Sequence, residues 1–315
     1  MELDSALQVT TDQLNQQKFD AFIAVSGYES RCIHLASSID IISIPTKVVL
    51  AFNEKKELLY RGLNDKTFNE LGFTFYPVSA GDASSICSIL EEICENHTKP
   101  DLNILIDYSS MPKIWYSELL NFFNTIDCEI ENVNIWLSYS PSEYTPSITS
   151  ISNKYLDPIK PKIKYDKPVA LILGLGYEKG RAEELSKQLD AQCTYAFYAN
   201  PSVDTRYVNE LIQNNRSVLR SIKEEQITTY PIFNLNTISE LLTELCLKLR
   251  MSHQVILVPV GPKPFTLMCF ILAARYPDIH TCRVSSVINS NATDRRAHGE
   301  ILVYKLNYTN EETEY

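Results

Sequence analysis

Short strings of this sequence return in the same order about 150 residues further on, so a fold adopted by the first half is expected to be repeated by the second. Phe22-Ile23-Ala24-Val25-Ser26-Gly27-Tyr28-Glu29 is answered by Leu171-Ile172-Leu173-Gly174-Leu175-Gly176-Tyr177-Glu178 at an offset of 149. Tyr76-Pro77-Val78 is answered by Tyr230-Pro231-Ile232 at an offset of 154, and Met111-Pro112-Lys113 by Gly261-Pro262-Lys263 at an offset of 150. One shared Gly-Tyr-Glu could arise by chance; three ordered matches at nearly constant spacing point to an internal duplication. A chain of 315 residues has room for two such units.

Within each unit, apolar runs alternate with helical patterns. The first gives strands over 20–26, 47–53, 73–79, 102–108 and 132–139, with helices over 30–39, 55–71, 83–96 and 112–126. The second gives strands over 168–175, 193–199, 227–233, 254–260 and 280–287, with helices over 179–190, 204–223, 236–251 and 263–277. Continuous runs such as Val169-Ala170-Leu171-Ile172-Leu173 suit parallel strands covered on both faces. The expected fold class is therefore α/β: two tandem Rossmann-like, doubly wound domains with mainly parallel sheets. The segment 157–164, with two prolines and three lysines, reads as the join, which sets the domains at 1–160 and 161–315. Residues 289–299 read as a polar loop, 301–306 as a final strand and 311–315 as a frayed tail.

Charge narrows the partners. With 29 basic and 39 acidic residues the chain carries a formal charge of -10, so general attraction to nucleic acid or to anionic membrane is not expected. Residues 1–160 hold 11 basic and 22 acidic side chains, which leaves an acidic first half able to dock a basic protein partner. No stretch of about 18 apolar residues offers a membrane span, and the N-terminal segment lacks the pattern of a signal peptide. The eight cysteines form no CxxC pair and mostly lie in apolar runs. Reduced, buried thiols and a cytoplasmic location follow as expectations.

In an open parallel sheet, ligands bind beyond the carboxyl ends of the strands, and the repeated strings fall there. Gly27 and Gly176 close the first strand of each unit and permit close backbone approach. Tyr28 and Tyr177 are candidates for stacking on a base, and Glu29 and Glu178 for accepting from a ribose hydroxyl or base amino group. Packing by the tyrosines and a favourable acidic helix start serve as well for these four. Arg31 and Arg181 could clamp a phosphate with two donors. After the fourth strand, Asp107-Tyr108-Ser109-Ser110-Met111-Pro112-Lys113 supplies two hydroxyls, a proline preset for the first helical turn, the free N–H groups of that turn and an ammonium, which together suit an anion. Its counterpart offers Gly261 and Lys263. The cluster Asp294-Arg295-Arg296-Ala297-His298 reads as a solvated loop. No Ser-His-Asp set, P-loop, HExxH or Cys/His metal set is found, and neither metal nor cofactor is expected.

The fourth-strand string, an apolar strand ending in Asp107 followed by Ser109, Ser110 and Lys113, resembles the strand-loop signature of CRISPR-associated Rossmann-fold (CARF) sensor domains. SAVED sensors, a related group, carry two such units in one chain. The resemblance implies a nucleotide or cyclic-oligonucleotide ligand between the two repeats, lined by Ser109, Ser110, Lys113, Gly261 and Lys263, in bacterial antiviral defence. Copy one lacks the family's double glycine, and copy two lacks the hydroxyls. A ring-nuclease-like phosphodiesterase or glycosidase and a non-catalytic scaffold subunit of a defence complex are the alternatives that this reading leaves open.

Overall fold

The computed structural model describes residues 1–146, 167–177, 179, 182–183, 186, 189, 191–282 and 292–310. The chain divides into two compact units, one formed by Met1–Glu143 with Asn291–Tyr315 and the other by Tyr144–Ser290. The join expected at 157–164 and the tail at 311–315 lie outside the described residues.

Unit 1 is built on five parallel strands: β2 (Ala21–Ser26), β3 (Thr46–Phe52), β4 (Thr74–Val78), β5 (Asp101–Asp107) and β6 (Asn132–Tyr139). They stand in the order β6-β5-β2-β3-β4. The order follows from burial. β2, Ala-Phe-Ile-Ala-Val-Ser, is buried at every position and takes the centre, with β3 and β5 as neighbours. β4 contains Pro77, which cannot donate to a ladder on both sides, and it forms the edge.

Helices cover both faces. On one, Phe22, Ala24, Val49, Leu105 and Trp136 of the strands meet Leu14, Cys32, Leu35, Ala36 and Phe68. These come from α1 (Thr11–Gln16), a 3₁₀ turn (Ser30–Ile33), α2 (His34–Ser38) and α3 (Arg61–Glu70). On the other, α4 (Ser84–Glu95) and α5 (Lys113–Thr125) bury Ile89, Leu90, Trp115, Tyr116 and Phe123. Complete burial of one such side chain stabilises by roughly 1.5–3 kcal/mol, so these two layers supply most of the driving force.

Two further strands extend this sheet. β12 (Leu302–Thr309) runs antiparallel to β6, and β1 (Glu2–Val9) runs antiparallel to β12. The sequence reading assigns the final strand to the second half and omits β1; in the structure both belong to unit 1. The helix expected over 55–71 starts only at Arg61, because Lys55 and Leu59 hold left-handed conformations at φ 59° and 47°.

Unit 2 repeats the strand order. β7 (Val169–Gly174) is central, β8 (Cys193–Ala199) and β9 (Ile227–Tyr230) lie on one side, and β10 (Gln254–Pro259) and β11 (His280–Thr281) lie on the other, all parallel. Its described helices are α6 (Thr205–Asn214), α7 (Arg216–Ser221), α8 (Leu235–Leu249) and α9 (Lys263–Arg275). The helix expected as continuous over 204–223 breaks at Asn215, whose side chain donates to the Gly176 and Leu211 carbonyls. The helix expected over 179–190 and the end of the strand expected over 280–287 lie largely outside the described residues. Both sheets are thus Rossmann-like, and no described helix is long and apolar enough to cross a membrane.

Candidate functional site

In unit 1 the chain leaves β2 toward β3 and leaves β5 toward β6, on opposite sides. The tips of β2 and β5 therefore flank the point where strand order reverses, the usual ligand crevice of such sheets. The structure brings Gly27, Tyr28, Glu29 and Arg31 after β2 together with Ser109, Ser110 and Lys113 after β5.

The β5 tip is shaped by its own polar groups. The Tyr108 N–H extends the ladder by donating to the Ser138 carbonyl at 3.0 Å, and the Ser109 N–H then donates to Asp107 Oδ1 at 2.9 Å, bending the chain away from the sheet. Pro112, with φ -59°, precedes the first residue of α5, Lys113, which is half-buried. Ser109 Oγ accepts the Ser140 N–H at 2.8 Å, so the tips of β5 and β6 are tied. Around this tie the hydroxyl oxygens of Ser110, Ser138 and Ser140 are buried and make no hydrogen bond within the protein. Ser138 and Ser140 are completely buried, and nothing in the sequence distinguishes them from the other serines of the chain.

Arg31, only 2% exposed, reaches from the β2 tip to β6. Its Nε donates to Glu29 Oε2 at 2.8 Å, and its Nη1 donates to the Ser140 carbonyl at 3.2 Å and to the Tyr139 hydroxyl at 3.4 Å. Because β5 stands between β2 and β6, the guanidinium crosses over the β5 tip. Burial opposes its charge, but the attraction and hydrogen bond of Glu29, joined by Tyr139, outweigh this and raise its pKa. Arg31 is thus a strut across three strand tips. Glu29 also lies 3.5 Å from Arg295 Nε, so its carboxylate is shared by two guanidinium groups. Burial, then the charge of Glu29, raises the pKa of Tyr28, whose ring faces the Lys55 ammonium at 5.1 Å.

Three residues of α3 hold these tips, and the sequence reading overlooks them. The buried Asn64 donates through Nδ2 to the carbonyls of Gly27 at 2.9 Å and Glu29 at 3.0 Å. Asp65 accepts from the Ser26 hydroxyl and from Arg61 Nε, while Arg61 Nη1 donates to the Phe52 carbonyl. Unit 2 has a matching device: Asn215 donates to the Gly176 carbonyl at 2.7 Å and Asn214 to the Tyr177 carbonyl at 2.6 Å. The signal available in advance is an asparagine at similar spacing after each Gly-Tyr-Glu.

In unit 2 the tips of β7 and β10 bring Gly176, Tyr177, Gly261 and Lys263 together, but the glycines serve a different purpose. A Cβ on Gly261 would lie 2.7 Å from the Leu175 carbonyl oxygen, one on Gly176 would lie 3.1 Å from that of Val260, and one on Gly174 would run into the Phe265 ring. The tips touch backbone to backbone where unit 1 carries Ser109 and Ser110. At Gly27, by contrast, a Cβ would meet only the Phe52 ring at 3.7 Å, an ordinary contact. Tyr177 packs on Tyr207 at 5.3 Å, and Tyr207 packs on Tyr144 at 5.0 Å. Lys263 is the half-buried first residue of α9. Glu178 and Arg181 lie outside the described residues.

Chemically, the unit 1 tips offer hydroxyls, the N–H groups opening α5 and one ammonium, a set suited to anionic oxygen. Burial pushes the nearby Cys32 thiol up to about 12, so it is protonated at neutral pH and is no nucleophile. Among the described residues no three His, Cys, Asp or Glu side chains gather as metal ligands would. The segment Asp294-Arg295, read as a solvated loop, is bonded to Ser30 and Arg31. No protein-family model and no curated protein matches this sequence, so the functional reading rests on the geometry of these strand tips.

Proposed function

We propose that unit 1 binds a phosphorylated nucleotide or cyclic oligonucleotide at the tips of β2, β5 and β6, in the manner of the CARF-like sensors of bacterial antiviral defence. The observation that carries this reading is the set of buried hydroxyls, Ser110, Ser138 and Ser140, without partners in the protein beside the start of α5. A buried polar atom without a partner costs about 1–3 kcal/mol, and ligand oxygen atoms would relieve that cost. Lys113 and the first N–H groups of α5 supply the positive field. Glu29 does not cancel it, since its carboxylate is shared by Arg31 and Arg295.

Calorimetric titration with AMP, cyclic triadenylate and inorganic phosphate tests the proposal. The adenylates bind, and Lys113→Ala weakens them about 10- to 100-fold, the loss of one charge-assisted hydrogen bond. Lys263→Ala, at the closed tips of unit 2, leaves the affinity within about twofold. Absence of binding at millimolar adenylate by folded protein would reject the reading. Chromatography of the same mixtures separates a sensor, which returns the ligand intact, from an enzyme, which returns cleavage products.

A further inference from the structure

We propose that residues 294–299 form a strap that closes reversibly over the strand tips of unit 1, so that a ligand reaches the serine cluster only when the strap lifts. Its contacts are consecutive. Asp294 accepts the Ser30 N–H at 2.8 Å and the Ser30 hydroxyl at 3.0 Å. The Arg295 carbonyl accepts the Arg31 N–H at 3.2 Å, and the Arg295 side chain lies 3.5 Å from Glu29. The Arg296 carbonyl accepts the Glu143 N–H at 2.9 Å, Ala297 bridges Ser142, and the His298 N–H donates to the Pro141 carbonyl at 2.8 Å. Gly299 is bonded through its carbonyl to His34 Nε2 at 3.2 Å.

The sheet order gives these contacts their meaning. Ser30 and Arg31 follow β2, while Pro141, Ser142 and Glu143 follow β6, and β5 stands between. A segment bonded to both outer tips passes over the middle one, where Ser109 and Ser110 sit. No residue from 292 to 300 is buried, whereas Leu302, which opens β12, is. Polar contacts without buried apolar anchors belong to the least stable parts of a fold, so the strap can open while β12 stays paired. One of its attachments, Glu29 to Arg295, and one pair inside it, Asp294 to Arg296, are ion pairs at partly exposed positions, which dissolved salt weakens.

The gating role rests on the nucleotide reading above; the mobility does not, and hydrogen exchange without ligand tests it. The amides of Ser30, Arg31, Glu143 and His298 exchange together, at least tenfold faster than those of β2 and β5. About 1 M salt or Asp294→Ala speeds these four several-fold more and leaves the β2 and β5 amides unchanged. Exchange of the four at the rate of the β2 and β5 amides, or no response to salt in the unaltered protein, overturns the strap even if Asp294→Ala fails to fold. For gating, Ser142→Cys combined with Ala297→Cys joins strap to β6 on oxidation. AMP affinity then falls at least tenfold and returns with reductant; unchanged affinity in the oxidised form overturns gating, whereas failure of the unaltered protein to bind AMP sinks the nucleotide reading alone.

Discussion

Asn64 donates its side-chain amide to the carbonyl of Gly27 at 2.9 Å, fixing the turn that leaves the central strand of unit 1. The same side chain reaches the part-buried Glu29 carbonyl, so Asn64→Ala strips two acceptors at once. We expect a loss of about 1–3 kcal/mol, seen as a lower thermal midpoint. Asn215→Ala produces a comparable loss through the Gly176 and Leu211 carbonyls. A fall no larger than that given by the exposed Glu70→Ala would contradict this role.

The glycines of the two units respond differently to one added methyl group. Gly27→Ala meets only ordinary contact with Phe52 and changes stability by less than about 0.5 kcal/mol. Gly261→Ala drives its Cβ against the Leu175 carbonyl oxygen, a backbone atom that cannot swing aside. That substitution is expected to cost about 1–3 kcal/mol in denaturant titration. Equal effects at the two positions would show that the unit 2 tips are not in tight contact.

Ser110→Ala and Ser140→Ala separate binding from folding. Each removes a buried hydroxyl that makes no hydrogen bond within the protein, so stability stays level or rises by up to about 1 kcal/mol. Affinity for adenylate falls in the same variants, the usual opposition between a poised site and a stable one. Melting without ligand, set beside calorimetry with it, reads both effects.

Alkaline pH acts on the buried thiols. Burial pushes Cys32, Cys94 and Cys246 up to about 12 and Cys282 to about 11, from the ordinary thiol value of 9.0. A raised folded-state value means the native protein holds the proton more tightly than the unfolded chain. The stability so contributed is complete below about pH 9 and is lost as pH rises toward 12. Alkylation by iodoacetamide at pH 8 therefore reaches the partly exposed Cys87, Cys128 and Cys193 first and the five buried thiols, Cys269 included, only after unfolding. Early modification of Cys32 would show that the β2 tip opens on its own.

What sequence reading captured and what it missed follow one physical line. Central strands declare themselves because burial on both faces demands runs such as Phe22-Ile23-Ala24-Val25, and their tips declare themselves through Gly27, Pro112 and Gly261. β1 is quieter: Leu7 faces solvent, and its pairing partner β12 lies about 300 residues away, although the Thr10-x-x-Gln13 capping box that opens α1 was there to be read. Glu54-Lys55-Lys56-Glu57-Leu58-Leu59 has helical propensity, yet the Tyr60 N–H on the Tyr28 carbonyl and Arg61 on the Phe52 carbonyl hold it as a loop. Among site residues the candidates on loops were identifiable from residue type, whereas Ser138, Ser140 and Asp294 acquire meaning only from neighbours remote in sequence. Arg31 is a candidate phosphate clamp by residue type, and only the fold shows that its Nε and Nη1 are engaged by Glu29, Tyr139 and Ser140.

The place of β12 between β6 and β1 has a consequence for biosynthesis. Translation delivers β1 and β6 long before residues 302–309 leave the ribosome, and until then both present unsatisfied edges. Unit 2, encoded in the interval, can mature while its companion waits, so protection of those two edges in the growing chain is a task for chaperones or for speed of synthesis.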